Sequence, residues 1–154
     1  MIRVSIWGII MMSIFETARE DNRLSTSIRM IQAGGVAEIL KGEGEYTALF
    51  PTNEAYSGFA GEVLDAITDD RERLAGMILY HVLRGKLTTQ ELSRMEAIRT
   101  LQGDHLDITG PPAAMRLNDA TIIQPNIECT NGIYHIIDRV LMPRAVEARV
   151  KKLV

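Results

Sequence analysis

A chain of 154 residues, 46% hydrophobic and 24% charged, has the size and balance of one ordinary globular domain. Its net charge of -3 at pH 7 offers no basic face to neutralise phosphates, which argues against nucleic acid as a partner. The single cysteine, Cys129, excludes an internal disulfide framework and leaves packing alone to hold the fold.

The opening run MIRVSIWGIIMMSIF places one arginine before an apolar stretch, as a signal peptide does, but meets ETARED without a small-x-small cleavage site. It is also too short to cross a bilayer as a helix. Met12-Ser13 offers a second start, so residues 1–12 form either an upstream extension or a degenerate signal. A start at Met12 would make the chain cytoplasmic, and membrane contact would come only through a partner or an uncleaved N-terminus.

Leu24, Ile28 and Ile31 fall on one helix face, Gly34-Gly35 stops that run, and Val36, Ile39 and Leu40 restart it before the turn KGEGE. YTALF is a short buried strand ended by Pro51, and Thr52 and Asn53 both suit the cap of a helix beginning at NEAY. Asp69 with Glu72 makes a capping-box-like start for a helix with Leu74, Met77, Ile78, His81 and Val82 in one stripe, ending near Gly85. After KLTTQEL the period changes to two, predicting strands at 97–101, 105–109, 115–117, 120–127 and 133–140. Pro143 suits the first turn of a last helix, giving a C-terminal helical tail over 144–154. Helices first and antiparallel strands later make the class α+β.

Chemistry centres on CTNGIYHIID, where Cys129, His135 and Asp138 stand close in sequence. Asn131-Gly132 between apolar runs predicts a two-residue hairpin turn, pairing Cys129 with Tyr134 and Glu128 with His135. Alternation then puts Ile127, Cys129, Tyr134 and Ile136 on one face and Glu128, Thr130, Ile133, His135 and Ile137 on the other. A thiol and an imidazole on opposite faces cannot meet within hydrogen-bond reach, and Asp138 shares the parity of Tyr134, so no catalytic triad forms. His81, His105 and His135 show no metal-ligand spacing, and the chain carries no Gly-x-Gly-x-x-Gly, P-loop or Gly-x-Ser-x-Gly motif. No catalytic residue, metal or cofactor is expected.

Five blocks in order resemble the fasciclin-type FAS1 domain: YTALFPTNEAY (46–56), ILYHVLRGKL (78–87), TLQGDHLDIT (100–109), LNDATIIQPNIE (117–128) and TNGIYHIIDRVLMP (130–143). The resemblance covers residues 13–143. It implies a β-wedge of antiparallel sheets packed against several short helices, a non-catalytic adhesion or interaction role, a protein partner, and an extracellular or cell-surface setting. The structural signature carried over by resemblance is Pro51, Thr52 and Asn53 in the first block and Asn131, Gly132, His135 and Asp138 in the last. Partner contact maps to Tyr80-His81 and Asn126-Ile127, although Tyr80 and His81 lie in a run that predicts burial. Phe50 stands where the family often has a small residue. Asn126-Ile127 occupies the place where some adhesion-type members carry an Asp-Ile pair, and without that carboxylate a metal-bearing integrin-type receptor loses the charge it would recognise. There is no Arg-Gly-Asp and no Asn-x-Ser/Thr acceptor. Because the two signatures lie side by side in such a fold, His135 is expected to bond Thr52 and Asn53 inside it, or else to face Glu128. A soluble intracellular adaptor, docked on a membrane or enzyme complex, is the alternative function.

Overall fold

The computed structural model describes residues 3–4, 10–58 and 61–143; the helical tail expected over 144–154 and most of the expected N-terminal extension lie outside the described residues. The elements in chain order are β1 (Arg3–Val4), β2 (Ile10–Met11), α1 (Ile14–Arg19), α2 (Ser25–Gly34), α3 (Ala37–Lys41), β3 (Tyr46–Pro51), α4 (Asn53–Tyr56), α5 (Gly61–Thr68), α6 (Arg71–Leu79), β4 (Val82–Arg84), α7 (Thr89–Leu92), β5 (Ala97–Arg99), β6 (His105–Thr109), β7 (Arg116–Leu117), β8 (Ala120–Cys129) and β9 (Gly132–Ile137). This is the expected α+β class.

Seven strands form one sheet in the order β4-β3-β9-β8-β7-β6-β5, antiparallel except where β3 runs parallel to β9. That parallel pair joins the two signature blocks, with Tyr46 opposite Gly132 and Leu49 opposite His135. A parallel pair at the centre must be covered on both faces, and β9 is buried along its whole length. On one face Ala48, Phe50, Val82, Cys129, Tyr134 and Ile136 pack with Ile14, Phe15, Ile28, Ile31, Leu74, Met77 and Ile78 of the helices. On the other, Leu49, Leu83, Ile122 and Ile137 pack with Tyr80, Leu92, Leu106, Met115 and Leu117. The sheet therefore divides two cores.

The first helices follow their sequence signals. The apolar stripe of α2 buries Ile28 and Ile31, and Gly35 ends it in the left-handed conformation at φ 72°. The central helix differs from expectation at both ends. Asp70, not Asp69, caps α6 by accepting from the Glu72 and Arg73 N–H groups, and the helix stops at Leu79. Val82 and Leu83 belong to strand β4, each buried in a different core. A run such as Met77 to Leu83, apolar at nearly every position, fits a strand buried on both faces as well as a buried helix, and periodicity does not separate the two.

The hairpin also moves. Cys129 pairs with Gly132, Glu128 with Ile133 and Ile127 with Tyr134, so the turn residues are Thr130 and Asn131 rather than Asn131 and Gly132. Gly132 opens β9 at φ 148°, and a Cβ there would overlap the Tyr46 carbonyl oxygen. Close approach of β3, not a type I′ turn, is what requires this glycine. Moving the turn by one residue shifts the pairing by two positions and leaves the faces unchanged: Cys129 lies in the helix-side core and His135 beneath the other face.

Candidate functional site

The signature residues are tied into the fold through their polar atoms, and three asparagines do the same job in three places. The first N–H groups of a helix have no partner within it and must find one elsewhere. Asn131, 6% exposed, accepts the Ile14 N–H of α1 at 2.9 Å and donates to the Leu40 and Gly42 carbonyls at 2.9 and 3.1 Å. Asn53 accepts the Thr26 N–H of α2 at 2.9 Å and donates to the Asn22 carbonyl. Leu24, the residue before α2, has no side chain to cap it, so the distant amide substitutes. Asn126 accepts the Thr89 N–H of α7 at 3.0 Å and donates to the Thr89 hydroxyl at 3.1 Å. Nothing in the local sequence signals these bonds: α1 and α7 also have local caps in Ser13 and Thr88, and only α2 starts without a capping side chain of its own.

The expected link between His135 and the first signature does not form. His135 is fully buried, takes the Asn126 N–H on Nδ1 and donates from Nε2 to the Leu87 carbonyl, both at 2.9 Å. An N–H donating to Nδ1 fixes the proton on Nε2 and the ring as neutral. Burial pulls its pKa below 6.5, against an opposing pull from the Leu87 carbonyl. Thr52 meets the last strand through its backbone instead, its N–H donating to the Ile137 carbonyl at 3.2 Å. Its side chain makes no cap bond to α4. Glu128 is turned away and pairs with Lys86 at 3.5 Å. Pro51 accepts the Ser27 hydroxyl through its carbonyl, and Asp138 accepts the Thr121 N–H at 2.7 Å, closing the end of the hairpin.

Tyr80 and His81 are 2% and 7% exposed. The Tyr80 hydroxyl donates to the His105 carbonyl and receives Asn118 Nδ2. His81 donates from Nδ1 to the Met77 carbonyl at 2.8 Å and accepts the Leu141 N–H on Nε2 at 2.9 Å. Burial lowers its pKa to about 4, so it is neutral at pH 7. Groups buried and bonded inward in this way reach a partner only if the fold opens.

Asn126 and Ile127 are different. The ladder between β8 and β9 breaks twice, between Ile122 and Gln124 and between Gln124 and Ile127, and Asn126 sits in the bulge at φ 61°. Pro125 and Asn126 are exposed, Ile127 is half-buried, and Ile123 is 52% exposed. Of β8, only Ala120 and Thr121 pair with β7, so no strand continues the ladder along 123–129 on that side among the described residues. The bulge and Pro125 keep this open edge from templating another strand.

Among the described residues, Cys129, His135 and Asp138 do not come together as a triad. Burial pushes the Cys129 thiol up to about 11, which keeps it protonated on the face away from His135. No cluster of three metal-ligating side chains occurs among the described residues. A recess lined by Met30, Phe50, Tyr56, Met77 and Val82 holds about 20 Å³, room for one water rather than a cofactor.

Comparison with known proteins agrees with this architecture. The model of the fasciclin domain matches residues 22–143. The chain belongs to the fasciclin domain family. It is 30% identical over 132 residues to the Synechocystis protein sll1735, covering 86% of this chain and 98% of that one. It is also 30% identical over 133 residues to the transforming growth factor-beta-induced protein ig-h3 of Sus scrofa, of which it covers 20%. A solved FAS1 domain pair from the insect cell adhesion molecule Fasciclin I shares its fold, with a TM-score of 0.68 at 16% identity over 88% of this chain and 52% of that one.

Proposed function

We propose that this fasciclin domain is a non-catalytic protein-interaction module that serves adhesion or surface and matrix association. One observation carries the reading: the bulged part of β8 presents Ile123, 52% exposed, beside Pro125, Asn126 and Ile127, with the Asn126 N–H bonded to His135 and its side chain to Thr89. A rigid apolar projection with a polar rim suits a protein partner, and the bulge directs that contact to side chains rather than to strand addition. Kinship with a domain of an insect cell adhesion molecule supports the same role. On this reading the partner is a protein, Asn126 and Ile127 touch it, and the setting is the cell surface or exterior.

Photo-crosslinking in the native cell tests the proposal, with the crosslinker placed at Ile123 or Ile127 and, as a control, at Gln102 in the turn between β5 and β6. One protein captured from both β8 positions but not from Gln102, and found in the surface fraction, is expected. Capture that does not depend on position overturns the docking face. A position-dependent partner confined to the cell interior overturns the adhesion role and selects the intracellular adaptor.

A further inference from the structure

The bulge that carries Asn126 has an unusual keeper. Of the groups that hold it, the Asn126 side chain reaches Thr89 on α7, while the Asn126 N–H rests on an imidazole nitrogen at 2.9 Å. That nitrogen accepts only while the ring is neutral. Its other nitrogen is committed to the Leu87 carbonyl at 2.9 Å, so the ring cannot exchange tautomers without losing both bonds. A second proton would go onto Nδ1 and set one N–H against another. The strain would fall on 124–127, where the β8–β9 ladder is already interrupted and Asn126 already sits at φ 61°.

Among the described residues, the ionisable groups of the elements around the ring are engaged elsewhere or face away. The connector before α7 carries Lys86 and β8 carries Glu128, and these pair with each other at 3.5 Å. Glu91 of α7 folds back on Thr88 to cap its own helix. On β9, Tyr134 lies on the opposite face of the sheet, and Asp138, just beyond the strand, is held by the Thr121 amide. β3, which places Leu49 opposite the ring, brings Tyr46 as its one titratable side chain.

We propose that His135 is an acid-sensitive latch: neutral, it fixes the Asn126–Ile127 bulge, and protonated, it releases that segment while the rest of the sheet persists. The latch rests on the proposed docking face only for its consequence, which is that partner contact weakens on acidification. His81 has the same bonding pattern but guards a different amide, that of Leu141, and burial holds it neutral down to about pH 4. It serves as an internal control.

The test uses the free full-length chain, labelled with nitrogen-15, titrated from pH 7.5 to 4.5 and followed by NMR and amide exchange. The expected result is that the Asn126, Ile127 and Thr89 amides titrate with the His135 ring at one midpoint below 6.5. Across that midpoint, Asn126 loses at least tenfold in exchange protection relative to the intrinsic rate, while Leu141 keeps its protection. An Asn126 amide that does not follow the ring, or loss of the whole native spectrum at the same midpoint, overturns the latch. His135→Gln, which does not titrate, should hold Asn126 independently of pH; the wild-type titration decides the matter if that variant does not fold. Because no partner is present, this result is independent of the crosslinking result.

Discussion

Replacing Asn131 by alanine removes an amide that holds three elements at once. Its oxygen accepts the Ile14 N–H, and its nitrogen donates to the Leu40 and Gly42 carbonyls. Ile14 and Leu40 are 0% and 1% exposed, so their freed groups cannot turn to water, whereas Gly42 is exposed and its carbonyl can. Two buried groups left unsatisfied at about 1 to 3 kcal/mol each predict a loss of roughly 3 kcal/mol. That is a large share of the roughly 5 to 15 kcal/mol that stabilises a domain. Urea unfolding should show a lowered midpoint with an unchanged slope. Asn131→Asp sharpens the test, because it keeps the acceptor for Ile14 but aims a second acceptor at two carbonyls. It should cost at least as much as alanine at pH 7, and the deficit should shrink in acid as the introduced carboxyl gains a proton to donate. An alanine variant within 1 kcal/mol of the parent, or an aspartate variant as stable as the parent at pH 7, would refute the reasoning.

Two further outcomes follow from the same structure. Gly132→Ala should cost roughly 3 kcal/mol or more, because its Cβ would overlap the Tyr46 carbonyl where β3 and β9 run parallel; thermal melting that shifts by only a degree or two would show that the strands can separate there cheaply. The second concerns pH. With the His81 pKa at about 4 in the fold against 6.5 for an ordinary histidine, the unfolded chain takes up a proton in that window and the native state does not. Stability is therefore whole above pH 6.5 and falls as pH drops towards 4, by about 3 kcal/mol at about 1.4 kcal/mol per pH unit. Unfolding free energies that stay flat between pH 7 and 4.5 would contradict this.

The parts of the fold legible in the sequence are those set by local rules. α2 follows its stripe and its Gly35 stop, β6 occupies His105–Thr109 as its alternation predicts, and the two faces of the hairpin are right because parity survives a shift of the turn. Where two structures satisfy the same local pattern, the sequence does not choose. From Met77 to Leu83 nearly every residue is apolar, and the presence of β3 alongside makes its end, Val82 and Leu83, a strand. Asn131-Gly132 has the composition of a tight turn, yet Gly132 is consumed by the approach of Tyr46, an event 86 residues away in the chain.

The bonds made by the candidate-site residues were not legible in the sequence. Asn131 and Asn53 of the signature, and Asn126 outside it, each satisfy an N–H of a helix N-terminus from another element: Asn131 beside the local cap Ser13 of α1, Asn126 beside the local cap Thr88 of α7, and Asn53 for α2, which has no local cap. Such caps carry no local spacing, so a sequence pattern cannot assign them. They also explain why polar residues in the signature blocks need not mean catalysis. A buried amide that satisfies a helix end and two carbonyls has no atom left for a substrate, and the same holds for His81 and His135, whose ring nitrogens are both bonded. What distinguishes Asn126 is that its backbone N–H and its side chain are both bonded within an exposed bulge rather than a buried one. The residues that hold the fold together and the proposed docking surface meet at that position.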